Sequence, residues 1–217
     1  MAINTYATLK TGFAEWMART GDTDLATRFD DFLALCEQRM WYGAEEGPIV
    51  CEPLRIREME AVSSSFSLSA TVAQPTGFLE LISVALNTNQ GPLDIVTEGV
   101  IDAYGAQSSA IPRVIAVSGS NFRVWPDPGS SYTATLRYFK KLDTPTSGGT
   151  VNWVITNAPG VYLNGVLAEA SIYTQDAEGA SKYLALYCSM VRSLNQRRNR
   201  ELASAANVRL RLRGSTP

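Results

Sequence analysis

No histidine occurs among the 217 residues. That absence removes the commonest general base and metal ligand, and with them every Ser-His-Asp or Cys-His mechanism. Phosphate-cradling loops of the G-x-x-x-x-G-K-[ST] and G-x-G-x-x-G types are missing, as is the G-x-S-x-G nucleophile turn. Cysteine is scarce: Cys36, Cys51 and Cys188 are odd in number, far apart and in no C-x-x-C pair. Such spacing signals neither a zinc site nor a disulfide framework, so reduced, intracellular thiols are expected. Long apolar runs are also absent. The most apolar stretch, VYLNGVLAEASIY, is interrupted by Asn164 and Glu169, and MAINTYATLK lacks the basic-then-apolar pattern of a signal. The sequence therefore predicts no metal, no cofactor and no membrane span.

What is present is an ordered globular composition, with 45% hydrophobic and 18% charged residues. The net charge of −2 is unevenly spread. Residues 192–217 hold seven arginines against Glu201 alone, leaving 12 basic and 20 acidic residues before them. A tail of about +6 on a body of about −8 points to a separate binding role for the tail.

Periodicity divides the chain. Thr5 can cap a helix over 5–20, whose apolar stripe is Tyr6, Leu9, Phe13 and Trp16. Asp22 or Thr23 can cap a second, with Leu25, Phe29, Phe32, Leu33, Cys36 and Met40 in one stripe up to Gly43, and so short a link predicts a tight antiparallel hairpin. From about residue 53 the period becomes two. Leu54 and Ile56, then Phe66, Leu68, Ala70 and Val72, then FLELISVAL, RVIAV turning into FRVWP, and SYTATLRYFKKL read as strands of an antiparallel sheet, with a short helix at 97–104. TPTSGG (144–149) is a loop. Helix returns at Asn157 and Pro159 with Val161, Leu163, Val166, Leu167 and Ala170, and again from about 177 with Leu184, Tyr187, Val191 and Leu194. The expected fold is α+β: a four-helix bundle made from helical hairpins over 1–52 and 150–205, an inserted antiparallel β domain over 53–142, and an extended basic arm over 206–217.

Acidic clusters at Asp22/Asp24, Asp30-Asp31 and Glu45-Glu46 fit capping, a solvent face and a Gly-bounded loop better than catalysis. Trp41-Tyr42 and Trp125 fit packing. The candidate binding residues are basic. Arg192, Arg197, Arg198 and Arg200 fall on about two helical turns, suited to an anionic partner or simply to the helix C-terminus. In NVRLRLRGSTP, Arg209, Arg211 and Arg213 alternate with Val208, Leu210 and Leu212, giving an extended segment one cationic and one apolar edge for a sheet or groove.

TLKTGFAEWMARTGDTDLATRFDDFLALCEQRM, PLRIREMEA and VNWVITNAPGVYLNGVLAEASIYTQDAEGASKYLALYCSMV resemble, in order and spacing, the head-to-tail adaptor proteins of short-tailed bacteriophages. The resemblance covers nearly the whole chain, is strongest over 5–60 and 151–195, and rests on hydrophobic, structural motifs. It implies a virion structural protein of the neck and tail, assembled in the host cytoplasm, with no enzymatic activity. It further implies a ring of about twelve copies under the portal protein, carrying the tail nozzle and fibre proteins, with double-stranded DNA passing through its channel without sequence-specific binding. The C-terminal arm, Val208 to Arg213, would then reach the portal. The alternative is a small carboxylate-based, virion-associated hydrolase with Glu45 or Glu46 as acid. A nucleic-acid-binding protein using the arginine-rich end is disfavoured by the acidic body.

Overall fold

The structure is a computed structural model that describes residues 2–44, 49–88, 91–105, 107 and 110–205. Among these the chain is mixed α+β, with seven α-helices and two β-sheets. It divides into a helical unit, from Met1–Glu58 and Leu142–Pro217, and a β unit, Met59–Lys141. No described helix is long and apolar enough to cross a membrane.

In the helical unit, α1 (Tyr6–Trp16) starts from a capping box in which Thr5 and Thr8 each accept the other's backbone N–H, at 3.0 and 3.2 Å. It ends four residues short of the expected 20, and Trp16 is exposed instead of joining the stripe. Tyr6, Lys10 and Phe13 all approach the Phe29 ring at 5.4–5.6 Å, and Phe13 also meets the Phe32 ring at 6.1 Å. The expected second helix is broken at Arg28 into α2 (Thr23–Thr27), capped by Asp22, and α3 (Phe29–Tyr42). All six stripe residues, Leu25 to Met40, are nevertheless buried.

Asn152 caps α5 (Trp153–Asn157), and Pro159 occupies the first turn of α6 (Pro159–Tyr173). Every residue from 161 to 171 is buried, so α6 is covered all round, by α1, α3, α5 and α7 (Ala177–Ala205). Gly165 permits the closest approach. A Cβ there would overlap the Cys36 sulfur and lie 3.2 Å from the Tyr187 ring. The polar groups of α6 find partners inside: Glu169 Oε1 accepts from Arg39 Nε and Nη2 at 3.0 and 2.6 Å, and Asn164 Nδ2 donates to Gly160 O at 2.8 Å. Beside them Glu37, also buried, accepts from Tyr162 Oη at 2.8 Å and Thr144 Oγ1 at 2.6 Å, while Asn152 Nδ2 donates to the same Tyr162 Oη at 2.7 Å.

Two expectations are corrected in this unit. Residues 54–57 alternate apolar and charged, yet they form no strand. Leu54 and Ile56 are fully buried, and the segment belongs to the helical unit, because an extended strap over helices shows the same period as a sheet. The thiol reading also fails for two of three cysteines. Cys51 and Cys188 form a disulfide, with Cα atoms 5.1 Å apart across 137 residues, and Cys36 alone is free. No local spacing announces a pair brought together only by the fold.

The β unit holds two sheets. Strands β1 (Glu60–Leu68), β7 (Tyr132–Lys140) and β3 (Phe78–Leu86) pair antiparallel in the order β1-β7-β3. The second sheet has the order β2-β6-β5-β4, from β2 (Thr71–Ala73), β4 (Asp94–Val96), β5 (Val114–Ser118) and β6 (Asn121–Trp125). The run expected as one strand from Phe66 to Val72 thus breaks at 69–70 and serves both sheets. Here too the purely antiparallel expectation is corrected: β4 and β5 run parallel, joined through α4 (Glu98–Tyr104). The second sheet contributes Ile115, Phe122 and Val124 to a core shared with Leu68, Val84 and Leu136 of the first, with Phe122 between the Phe66 and Phe78 rings at 6.0 and 5.1 Å. Val114 and Ala116 face Ile101 of α4, so β5 is covered on both faces.

Gly165→Ala is expected to destabilise the chain by about 1–3 kcal/mol through overpacking. Adding Cys36→Ala, which removes the overlapping sulfur, should restore most of the loss. Urea denaturation midpoints of the single and double variants check both expectations.

Candidate docking surface at the basic helix end

α7 begins where Asp176 Oδ1 accepts from Gly179 N at 2.9 Å and runs for 29 residues, about 43 Å at 1.5 Å per residue. Its buried side is made by Tyr187, Cys188 and Val191. The four arginines that the sequence groups near its end are separated by their surroundings. Arg197 turns inward: Nη2 donates to Glu58 Oε1 at 2.6 Å, the guanidinium lies 4.6 Å from the Trp153 ring, and Nε stands 3.3 Å from Glu201 Oε1. Arg192 is exposed, with Nε 3.8 Å from Glu52 Oε1. Arg198 is half-buried. Arg200 is exposed, and its Nε donates to Gln196 O one turn back, at 3.4 Å.

The residues that organise this end were not among the expected ones. Asn195 Oδ1 accepts from Arg55 N at 2.8 Å, and its Nδ2 donates to Pro53 O at 3.0 Å. Arg55 donates in turn to the carbonyls of Trp41 and Leu54 at 3.1 and 2.8 Å. The strap 51–58 is therefore clamped along α7 by one amide and two acids. The acids Glu52 and Glu58 flanking PLRIR are the one sequence signal that could have suggested a basic helix as their partner. The arm, with Val208, Arg209, Leu210, Arg211, Leu212 and Arg213, lies outside the described residues, as do Glu45 and Glu46.

Asp22, Asp24, Asp30 and Glu37 accept structural hydrogen bonds. Asp22 caps α2; Asp24 accepts from Tyr173 Oη at 2.7 Å, a bond that holds its carboxyl below the usual range. Asp30 accepts from Tyr6 Oη, whose pKa is pushed up to about 12, first by burial and then by that bond. Asp30 and Glu37 border a cleft of about 340 Å³ with Thr144 and Thr146, but Glu37 already accepts two hydrogen bonds there. Among the described residues no three His, Cys, Asp or Glu side chains stand close enough to hold a metal ion. Exposed apolar residues are the other feature of the helices: Leu186 and Met190 one turn apart on α7, Leu35 and Tyr42 on α3, Ile172 on α6.

Asn195→Ala should cost about 1–3 kcal/mol, because it strands a backbone donor and a backbone acceptor of the strap. Arg200→Ala should stay within about 0.5 kcal/mol of the parent. Thermal or urea unfolding of the two variants distinguishes the clamp from the free surface.

No curated protein matches the chain. A family model described as SU10 adaptor protein matches residues 4–211, which takes in both units. The chain belongs to that family and is, with it, a structural adaptor of the phage head-to-tail junction.

Proposed function

We propose that the protein closes into a ring of about twelve copies beneath the portal protein, at the virion neck, and carries the tail nozzle and fibre proteins on its far side. In this reading α1, α3, α6 and α7 act as a four-helix bundle that meets the portal. The β unit serves tail components, the arm over 206–217 docks on the portal, and DNA passes the acidic body without sequence-specific binding. The protein has no catalytic role, and assembly takes place in the host cytoplasm.

The observation that carries this reading, beside the family match, is the division of the chain into two units with separate hydrophobic cores. An adaptor must present unlike surfaces to unlike neighbours. Two units, each with its own core and joined along the chain at 58/59 and 141/142, let one surface vary while the other stays fixed. The carboxylate-hydrolase alternative gains no support from Asp22, Asp24, Asp30 or Glu37, each committed to a structural hydrogen bond.

The isolated chain at micromolar concentration should sediment as a monomer and enter a ring only when portal is added; a stable large ring without portal would count against this order of assembly. Deleting 206–217 should leave the melting temperature unchanged and weaken portal attachment. Changing Arg209, Arg211 and Arg213 to Glu should weaken attachment steeply and salt-dependently, whereas Val208, Leu210 and Leu212 changed to Ser should weaken it with little salt dependence. Portal-bound rings of normal affinity from the truncated chain would overturn the role of the arm.

A further inference from the structure

The strap 51–58 is positioned by contacts that do not need its disulfide. Gly43, at φ +72°, ends α3 where a Cβ would stand 2.7 Å from Cys51 O. Cys51 and Ala44 then exchange two backbone hydrogen bonds at 2.8 Å, and Leu54 N donates to Met40 O at 2.8 Å. Asn195 holds Arg55 N and Pro53 O, and Arg197 holds Glu58. These attachments, before and after it in sequence, fix the register of Cys51 against α7. With the bond formed, its Cα lies 5.1 Å from that of Cys188, inside the range a disulfide spans.

Both bonded cysteines are buried, at 1% and 7% exposure, so an attacking thiolate reaches the bond only if the strap lifts. The third cysteine offers no competing partner. Cys36 is fully buried beneath Gly165, and burial, then the neighbouring Glu37 charge, pushes its thiol far up, keeping it protonated and unreactive. Only one pairing is thus open to the folded chain.

We propose that Cys51–Cys188 is a latch that closes after folding: the chain folds as the dithiol, a low-molecular-weight disulfide then oxidises the pair, and the closed strap shields the bond from thiols. In that step the two cysteine thiols give up two protons and two electrons and form one sulfur–sulfur bond. The oxidant's own sulfur–sulfur bond breaks and leaves as two thiols. The adaptor reading supplies only the reason for such timing, since a virion part is made in a reducing cell and serves outside it; strap, burial and pairing stand without it.

The test uses the full chain and no partner, so it can fail while the adaptor reading stands, and the reverse. Protein denatured and alkylated at the moment of cell lysis should carry three modified thiols. Protein purified under reductant should show the same far-ultraviolet dichroism as the oxidised form. Oxidised glutathione should then convert it to a form with one thiol, Cys36, open to alkylation after denaturation. Hydrogen exchange of amides within 49–58 should slow by about tenfold or more on oxidation, with α1 and α6 unchanged. Dithiothreitol should reduce the native bond at least about tenfold more slowly than the bond in denaturing urea. The double variant Cys51→Ala, Cys188→Ala should fold and exchange like the reduced form. A reduced chain or double variant that does not fold overturns the latch, because the bond would then be a requirement of folding. Three thiols persisting with oxidised glutathione, exchange indifferent to oxidation, or equal reduction rates in native and denatured protein overturn it equally.

Discussion

Burial of α6 on every side is the condition on which the helical unit rests. A helix with one apolar stripe can lie on a surface, but a run buried from 161 to 171 needs neighbours all round it. Those neighbours come from both ends of the sequence, α1 and α3 from the first 42 residues, α5 and α7 from beyond 150. The ends must therefore associate before either is stable. Whatever lies between has to leave the helical unit and return to it, which is why Met59–Lys141 forms a unit with a core of its own.

The same burial dictates the polar residues inside. Glu169 on α6 could not be left unpaired, since a lone buried carboxylate costs several kcal/mol, and the two donors of Arg39 meet one of its oxygens. Glu37, two residues before Arg39, faces the other side and takes hydroxyl donors from Tyr162 and Thr144. A one-residue slip of α3 along α6 would orphan both carboxylates and drive Cys36 into a neighbour larger than Gly165. The polar pairs and the glycine thus select the same register, and the apolar contacts alone would not distinguish it from its neighbours.

Much of this was legible as local pattern. The stripe from Leu25 to Met40, the proline start of α6, the helix at Glu98–Tyr104 and the hairpin of β5 and β6 each carry their cause within a dozen residues. What escaped depends on partners distant in sequence. Alternation at 54–57 looked like a strand because an extended chain has period two whether or not another strand pairs with it, and here the partners are α3 and α7. The break at 69–70, which sends Leu68 and Val72 to different sheets, leaves the alternation intact and so leaves no trace in the pattern. The disulfide joins residues 137 apart, and Asn195, the clamp on the strap, is one polar residue among several on a basic helix.

The placement of charge sharpens the contrast between helix and arm. Along the helix end, Arg192 and Arg197 stand opposite Glu52 and Glu58, and Glu201 adds a third acid, so three carboxylates accompany the four arginines of 192–200. Much of that positive charge is spent on holding the chain's own strap. Residues 206–217 contain three arginines and no acid. An electrostatic attraction toward an acidic neighbour, which falls off over about 8–10 Å in physiological salt, would therefore draw more on the charge of residues 206–217 than on that of 192–201.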